Sequence, residues 1–225
     1  MMEIRHIHPW NVSVREAIQI QRRLRVFIEL NDMPDIINYI AGTDISSSKR
    51  SDQIWAGVLI FSYPQLIKLE ERWVEGKMDF PYIPGLLSFR EIPLLLEAFK
   101  QTEVEPDLIF CDGQGIAHPR GMGLASHLGL MLNKPTIGCA KSRLIGGYSK
   151  VGNQKGAYSL LHYKGNVVGV VLRTRTGVKP LFVSPGHKIT LDKSIKMVLS
   201  CCIRYRIPEP IRQTHLMVKG LSRIK

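Results

Sequence analysis

Residues 107–120 have the sequence DLIFCDGQGIAHPR, and the fold prediction starts from them. Four apolar residues in succession, 108–111, are typical of a strand that is buried on both faces of a sheet. Asp112 ends this run, and open α/β folds place their functional sites at the ends of such strands. Gly113 and Gly115 allow a ligand to approach the backbone closely. Asp112 is therefore the first candidate for chemistry.

The segments on either side of this strand predict a mixed sheet. Upstream, three runs joined by short connections indicate an antiparallel meander whose more polar third strand lies near an edge. These strands are predicted at 37–45, 54–61 and 66–74. Downstream, a crossover leads to a further strand at 135–140. Later apolar runs, interpreted as an added antiparallel layer, lie at 158–163, 167–173 and 181–184.

Helices are predicted around this sheet. Ser13 and Glu16 form a capping box, and apolar residues then recur at helical spacing as far as Glu29. The other predicted helices cover 86–100, 124–132, 191–203 and 209–219. Because the chain has 225 residues and no internal repeat or long linker, we expect one domain over 1–225. The predicted fold class is α/β, with three antiparallel strands followed by parallel strands and with helices flanking the sheet.

Composition and charge restrict the partners of the chain. Lys and Arg number 31 against 19 acids, and the net charge of +12 favours a polyanion such as nucleic acid over an anionic membrane surface. The alternative is that the charge serves solubility alone. The longest uncharged stretch, 53–67, is too short to span a bilayer. The four cysteines form no Cys-x-x-Cys pair, so we expect buried thiols in a cytoplasmic protein without a membrane partner.

Asp44 and Asp112 each end an apolar run, and the first and fourth strands can be neighbours in a mixed sheet. Both carboxylates would then lie at one rim, where their repulsion is relieved by a proton or a cation. Magnesium prefers one or two carboxylates together with water and phosphate oxygens. Glu91 in the next helix is a candidate third acid, although spacing alone favours its pairing with Arg90 or solvent. Asp44 alone would also fit a turn.

Two further polar residues near the predicted rim have more than one interpretation. Lys141 follows the strand at 135–140, where it would hold a phosphate, orient a water molecule or simply be a solvated strand end. His215 on the last helix would ligate a metal, transfer protons or lie on the surface. The same alternatives apply to His118 and His127.

Residues 81–84, PYIP, predict a stiff loop. The two prolines restrict the backbone, so Tyr82 and Ile83 would be held out rigidly. Apolar side chains held in this way can enter a base stack and separate its steps. The alternative is that Tyr82 and Ile83 fill the core, as aromatic side chains usually do.

Five segments of the chain resemble the endonuclease V family, which comprises DNA repair nucleases specific for deoxyinosine. They are AGTDIS at 41–46, FPYIPGLLSFRE at 80–91, FCDGQGIAHPR at 110–120, IGCAKS at 137–142 and FVSPGH at 182–187. The second and third segments are long and specific, and all five occur in order across most of the chain. The region around His215 is the least regular match.

This resemblance implies a ribonuclease H-like fold and a magnesium cofactor, with manganese as a substitute. It implies cleavage of inosine-containing DNA at the second phosphodiester bond 3′ to deoxyinosine, leaving 3′-hydroxyl and 5′-phosphate ends. The matching metal-binding acids are Asp44, Glu91 and Asp112, and the catalytic positions also include Lys141 and His215. The matching strand-separating wedge is Pro81, Tyr82, Ile83 and Pro84. The matching lesion pocket is Gly85, Leu87, Gly113, His118 and Leu144.

Three alternatives to this function are open at the level of sequence. The first is a ribonuclease that acts on inosine-containing RNA. The second is a structure-selective nuclease of the same fold, which would not need a rigid wedge. The third is a nucleic-acid-binding domain without catalysis, against which the full set of acids argues. No feature of the sequence indicates a protein partner, and we expect a monomer.

Overall fold

The computed structural model describes residues 2–31, 36–48 and 51–224 of the chain. The strands are β1 Tyr39–Ser47, β2 Gln53–Ser62, β3 Lys68–Lys77, β4 Leu108–Cys111, β5 Thr136–Ala140, β6 Tyr158–Tyr163, β7 Asn166–Leu172 and β8 Leu181–His187. The α-helices are α1 Val14–Leu24, α2 Leu87–Lys100, α3 Leu124–Leu132, α4 Leu191–Cys201 and α5 Glu209–Ile224. The strands of the described residues form one sheet in the order β3-β2-β1-β4-β5-β8-β7-β6.

The pairing within this sheet confirms the predicted mixed α/β fold. β1, β2 and β3 form an antiparallel meander, β4 is parallel to β1, and β5 is parallel to β4. β3 is an edge strand, as its polar sequence predicts. Successive residues of the central strands point to opposite faces: Phe110 belongs to the same buried cluster as Val198 of α4, and Ile109 belongs to the cluster that contains Leu95 of α2. Helices therefore cover both faces of the sheet.

The last three strands do not form an additional layer, so that expectation is wrong. β8 pairs antiparallel with β5, and β7 and β6 extend the same sheet beyond β8. Every residue of β5 and β8 is buried, which is what strands in the interior of a sheet covered on both faces require. An apolar run indicates a buried strand, but it does not determine which neighbouring strand that strand pairs with.

The first helix is shorter than its periodicity predicts. Its capping box at Ser13 is confirmed, but α1 ends at Leu24 and a short 3-10 turn follows. The chain then pairs with the end of β8: the Glu29 amide donates to His187 Nδ1 at 3.2 Å, and the Lys188 amide donates to the Glu29 carbonyl at 2.7 Å. These long-range bonds end the helix before Glu29.

Asp107 connects the starts of two central strands. Its carboxylate accepts hydrogen bonds from the backbone amides of Asn38 at 2.8 Å and Tyr39 at 3.0 Å. Asp107 directly precedes β4, and Tyr39 begins β1. The contact therefore fixes the start of one central strand beside the start of its neighbour.

The four cysteines are free and buried, as the sequence predicts. Cys111 lies in β4 and Cys139 lies in β5. Among the described residues, no helix is both long enough and apolar enough to cross a membrane.

Candidate active site

Two carboxylates lie side by side where the parallel strands β1 and β4 end. Thr43 pairs with Cys111 in the β1–β4 register, so the next residues of the two strands, Asp44 and Asp112, are neighbours. Burial, followed by the negative charge of Asp112, raises the pKa of Asp44 to about 6, although His215 acts in the opposite direction. The neighbouring position predicted from the two apolar runs is therefore present in the structure.

Helix α5 brings a histidine to these acids. His215 Nδ1 lies 2.7 Å from Asp44 Oδ2, and one ligand atom each of Asp44, Asp112 and His215 lies within 4.8 Å of the other two. The close approach of α5 depends on Gly42 in β1, because a Cβ at that position would lie 2.2 Å from the Pro210 carbonyl oxygen. The sequence motif around Gly42 gave no sign of this packing role.

Glu91 of α2 lies close enough to interact electrostatically with both aspartates. Its side chain is partly buried. Burial, followed by the charges of Asp44 and Asp112, raises its pKa to about 8. Arg90 acts on this pKa in the opposite direction, so the predicted proximity of Glu91 and Arg90 is present together with the interaction between Glu91 and the two aspartates. Glu91 is nevertheless outside the set of three residues whose ligand atoms approach within 4.8 Å.

Lys141 follows β5 and forms an ion pair with Asp112. Its side chain is 42% exposed, so the ammonium group is accessible from the solvent side of the acids. Arg206 donates from Nη2 to the Lys141 carbonyl at 3.1 Å, which fixes the backbone at this position. The structure thus places a cation at the rim, in contact with one of the two strand-end carboxylates.

The donor set of this cluster fits a hard divalent cation. Carboxylate oxygens dominate, and His215 adds a ring nitrogen. Burial is the main cause that raises the pKa of Asp44 and of Glu91, and the negative charge of the neighbouring acids adds to it. A bound cation would remove this repulsion, and Asp44, Asp112 and His215 are the residues of the described chain that are placed to hold it.

A cavity of about 360 Å³ opens directly beside the acid cluster, and Asp112 and Lys141 form part of its wall. All five residues of the expected lesion pocket line it: Gly85, Leu87, Gly113, His118 and Leu144. Three of the four expected wedge residues also line it, namely Tyr82, Ile83 and Pro84. Pro81 instead lines a separate depression.

The loop at 81–84 presents its aromatic side chain to solvent. Tyr82 is 72% exposed, and the Arg90 guanidinium lies 5.8 Å from the centroid of its ring. The alternative in which Tyr82 fills the core is therefore wrong. Ile83 is partly buried against a cluster that contains Phe80 and Phe89, so this residue anchors the loop.

His118 lines the cavity, but both of its ring nitrogens are hydrogen bonded within the protein. Nε2 lies 2.9 Å from the Gly85 carbonyl, and Nδ1 accepts from the Arg120 amide at 3.2 Å. Burial, followed by the charge of Arg120, lowers the pKa of His118 to about 4, so the ring is neutral near pH 7. His127 is fully buried, and its Nε2 lies 2.7 Å from Nε2 of His8. Neither histidine belongs to the acid cluster.

Comparison with known proteins now identifies the family. The family model of endonuclease V matches residues 21–216. The chain belongs to the endonuclease V family. Among its relatives, the endonuclease V of Dehalococcoides mccartyi is 50% identical over 220 residues, which cover 98% of this chain and 99% of that protein.

Solved structures of endonuclease V have the same fold as this chain. Endonuclease V of Bacillus subtilis superposes with a TM-score of 0.94 at 32% identity, covering 99% of this chain and 98% of that one. Endonuclease V of Ciona intestinalis, in complex with a 24-mer DNA containing an inosine followed by a ribo-adenosine, gives a TM-score of 0.84 at 30% identity, covering 94% and 98%. Membership of this family makes the chain a nuclease, and its acid cluster is a candidate metal site.

Proposed function

We propose that this endonuclease V family member is a magnesium-dependent DNA repair enzyme. It nicks DNA at the second phosphodiester bond 3′ to deoxyinosine and leaves 3′-hydroxyl and 5′-phosphate ends. The observation that carries the proposal is that Asp112 belongs both to the acid cluster and to the wall of the adjacent cavity, where its ion-pair partner Lys141 also lies. A base held in that cavity would bring its own strand to the acids.

Inosine pairs weakly, so moving it out of the duplex costs less than moving a normal base. The exposed ring of Tyr82, at one side of the cavity, would fill the gap left in the stack. Backbone groups around Gly113 would then contact the edge of the displaced base. Lesion recognition would thus occur one residue away from Asp112.

The residues around the acid cluster indicate how the scissile phosphate would be bound and where protons would be transferred. A divalent cation held by the acids would activate the attacking water and neutralise charge on the phosphate. The Lys141 ammonium, beside Asp112, is accessible to a phosphate oxygen. His215 holds Nδ1 against Asp44, which leaves Nε2 as the ring atom that gives or takes a proton. Water attacks phosphorus, the bond from phosphorus to the 3′ oxygen breaks, and that oxygen takes up a proton.

The direct test is a nicking assay on a duplex that contains one inosine, with and without Mg²⁺ and with Mn²⁺ as a substitute. We expect Asp112→Asn to reduce nicking at least about 100-fold and to retain DNA binding, because the carboxylate acts on the reacting phosphate. Asp192→Asn, an exposed acid at the start of α4, is the matched control and keeps full activity. Unchanged nicking by Asp112→Asn would refute the metal-binding role.

Matched DNA and RNA strands with one inosine each distinguish the repair enzyme from a ribonuclease. A clear preference for RNA would overturn the DNA repair assignment. A branched, undamaged duplex tests the structure-selective alternative in the same assay. A cytoplasmic monomer without a membrane partner also remains part of the proposal, and size-exclusion chromatography checks its oligomeric state.

A further inference from the structure

The loop that carries Tyr82 is connected to helix α1 through one carbonyl oxygen. The Gly85 carbonyl accepts hydrogen bonds from Gln21 Nε2 at 3.1 Å and from Arg120 Nη2 at 2.6 Å. His118 Nε2 lies 2.9 Å from the same oxygen. These contacts join three separate parts of the chain, namely α1, the end of the wedge loop and the segment that follows β4.

Gln21 is a buried polar residue whose hydrogen-bonding groups are used inside the protein. Its side chain is 1% exposed, although it also lines the cavity. Besides its bond to Gly85, Nε2 donates to the Met122 carbonyl at 3.2 Å, and Oε1 accepts from Arg120 Nε. With both amide hydrogens donated and the oxygen accepting a charged donor, Gln21 is suited to hold the cavity wall rather than to contact a ligand.

The orientation of the Arg120 guanidinium is set by neutral hydrogen-bond acceptors. Its half-buried guanidinium donates to Gln21 Oε1 and to the Gly85 carbonyl, and no carboxylate of the described residues forms an ion pair with it. Hydrogen bonds from a charged donor are stronger than those between neutral groups. Gln21 therefore fixes the guanidinium in the orientation from which it holds the Gly85 carbonyl.

The backbone at Gly85 has little freedom under these contacts. Its φ of +82° lies in the left-handed region that favours glycine. A Cβ at this position would lie 2.9 Å from Arg120 Nη2 and 3.3 Å from His118 Nε2, so the donors occupy the space of a side chain. The peptide that begins the cavity wall after the wedge is thus set by groups on α1 and on the segment after β4.

We infer that Gln21 is a positioning residue for lesion discrimination. Through Arg120 and the Gly85 carbonyl, it orients the part of the cavity wall at Gly85, which would enclose a displaced base together with the backbone around Gly113. This inference rests on the proposed function, because it assigns a role within the same cavity. It extends the functional unit to helix α1, which contributes no residue to the acid cluster.

The test measures discrimination separately from turnover. A labelled inosine duplex is nicked in the presence of Mg²⁺, and unlabelled competitors are either the same duplex or its undamaged counterpart. The ratio of the two half-inhibitory concentrations is the discrimination factor. Gln21→Met keeps the length of the side chain and removes all three hydrogen bonds. We expect it to lower this factor at least about tenfold, while the maximal single-turnover rate falls less than about threefold, because the acid cluster is untouched.

Two further variants make the result decisive. Gln19→Ala alters an exposed glutamine of the same helix and should leave the discrimination factor unchanged. Arg120→Gln removes the charged donor without touching α1 and should lower the factor in the same direction as Gln21→Met. It decides the question if Gln21→Met does not fold, as judged from its melting temperature.

Each outcome has one meaning. A discrimination factor within about twofold of the wild-type value in a folded Gln21→Met or Arg120→Gln enzyme would overturn the positioning role. A lower turnover rate with an intact factor would also overturn it. If the wild-type enzyme itself does not prefer the inosine competitor, the proposed function fails, whatever the variants show.

Discussion

Asp112 belongs to two sites at once, because its carboxylate is part of the acid cluster and its residue is part of the cavity wall. Its neighbour Gly113 lines the same cavity. A short strand that is buried along its whole length fixes the backbone immediately before this pair. At the scale of single residues, recognition and cleavage would therefore share one rigid support.

Tyr82 offers a test at this scale, because its ring is exposed and its removal should have little effect on folding. If the ring stacks in the gap left by a displaced base, Tyr82→Ala should weaken affinity for an inosine duplex about tenfold, within the range found for base–aromatic stacking. The affinity for a single-stranded inosine substrate should fall less, because a single strand has no gap in a paired stack for the ring to fill. Competition nicking assays on both substrates measure the difference.

Tyr158→Ala removes another exposed tyrosine, on the edge strand β6, and serves as the control for this prediction. It should leave both substrates unaffected. If Tyr82→Ala changes neither inosine cleavage nor lesion binding, the wedge role fails and the structure-selective nuclease gains support.

The sequence predicts some of these residues and not others, for a physical reason. Asp44 and Asp112 each end an apolar run, and this signal, together with a strand order that allows the first and fourth strands to be neighbours, predicts both at one rim of a sheet. Glu91 has no such signal, because its position beside them depends on how α2 packs. Gln21 and Gly42 act through contacts with residues far along the chain, which a single sequence does not record.

At the scale of elements, a pair of buried histidines connects the segment before α1 to α2 and α3. His8 Nδ1 bonds the Pro9 carbonyl at 2.7 Å and therefore carries a proton, so His8 Nε2 accepts from His127 Nε2. His127 Nδ1 then accepts from the Ser88 hydroxyl at 3.0 Å. This assignment applies to neutral rings, which burial favours by lowering the pKa of both, and the bonds join three elements through polar groups inside an aromatic cluster.

Because both rings are neutral in the folded protein, we expect the folding stability to decrease in acid. Burial is the main cause that lowers the pKa of His8 and of His127, and for His127 the charges on His8 and His118 act in the same direction. Because the unfolded state binds protons on these two rings that the folded state does not, the stability contributed by the pair is complete above pH 6.5 and is lost as the pH falls below it. Each such histidine can contribute a slope of up to about 1.4 kcal/mol per pH unit.

Urea unfolding between pH 7.5 and pH 5 measures this effect. His127→Phe keeps a ring next to Phe89 but does not titrate, so it should be less stable than wild type at pH 7.5 and lose less stability on acidification. His6→Asn, at an exposed histidine of the same segment, should keep the wild-type slope. A wild-type slope in His127→Phe would exclude the buried pair as its source.

At the scale of the whole molecule, β8, β7 and β6 extend the central sheet, whereas the sequence pattern predicts them in a separate layer. The order of β1 to β5 follows from crossover rules and short connections, whereas the attachment of β8 to β5 is a long-range choice between two buried apolar strands. The single-domain organisation of residues 1–225 stays a prediction. A single cooperative unfolding transition would support it.

The net charge of +12 leads to the last prediction, which separates nucleic-acid binding from mere solubility. A protein that neutralises phosphates with Lys and Arg releases counterions, so the logarithm of its affinity falls with the logarithm of salt concentration by about 0.9 for each phosphate. Five such contacts would weaken binding roughly 500-fold between 50 and 200 mM salt. Fluorescence anisotropy with an inosine duplex measures this slope. Arg143 lines the cavity, and if its guanidinium contacts one phosphate, Arg143→Gln should reduce the slope by about one.

Lys68→Gln, on the edge strand β3 where Lys68 pairs with Glu71, is the control and should leave the slope unchanged. A slope near zero in the wild-type protein would mean that the basic excess serves solubility alone, and the cavity and acid cluster would then have to act without electrostatic capture of the strand. A steep slope that Arg143→Gln lowers and Lys68→Gln does not would instead assign the excess charge to the same side of the molecule as Asp112.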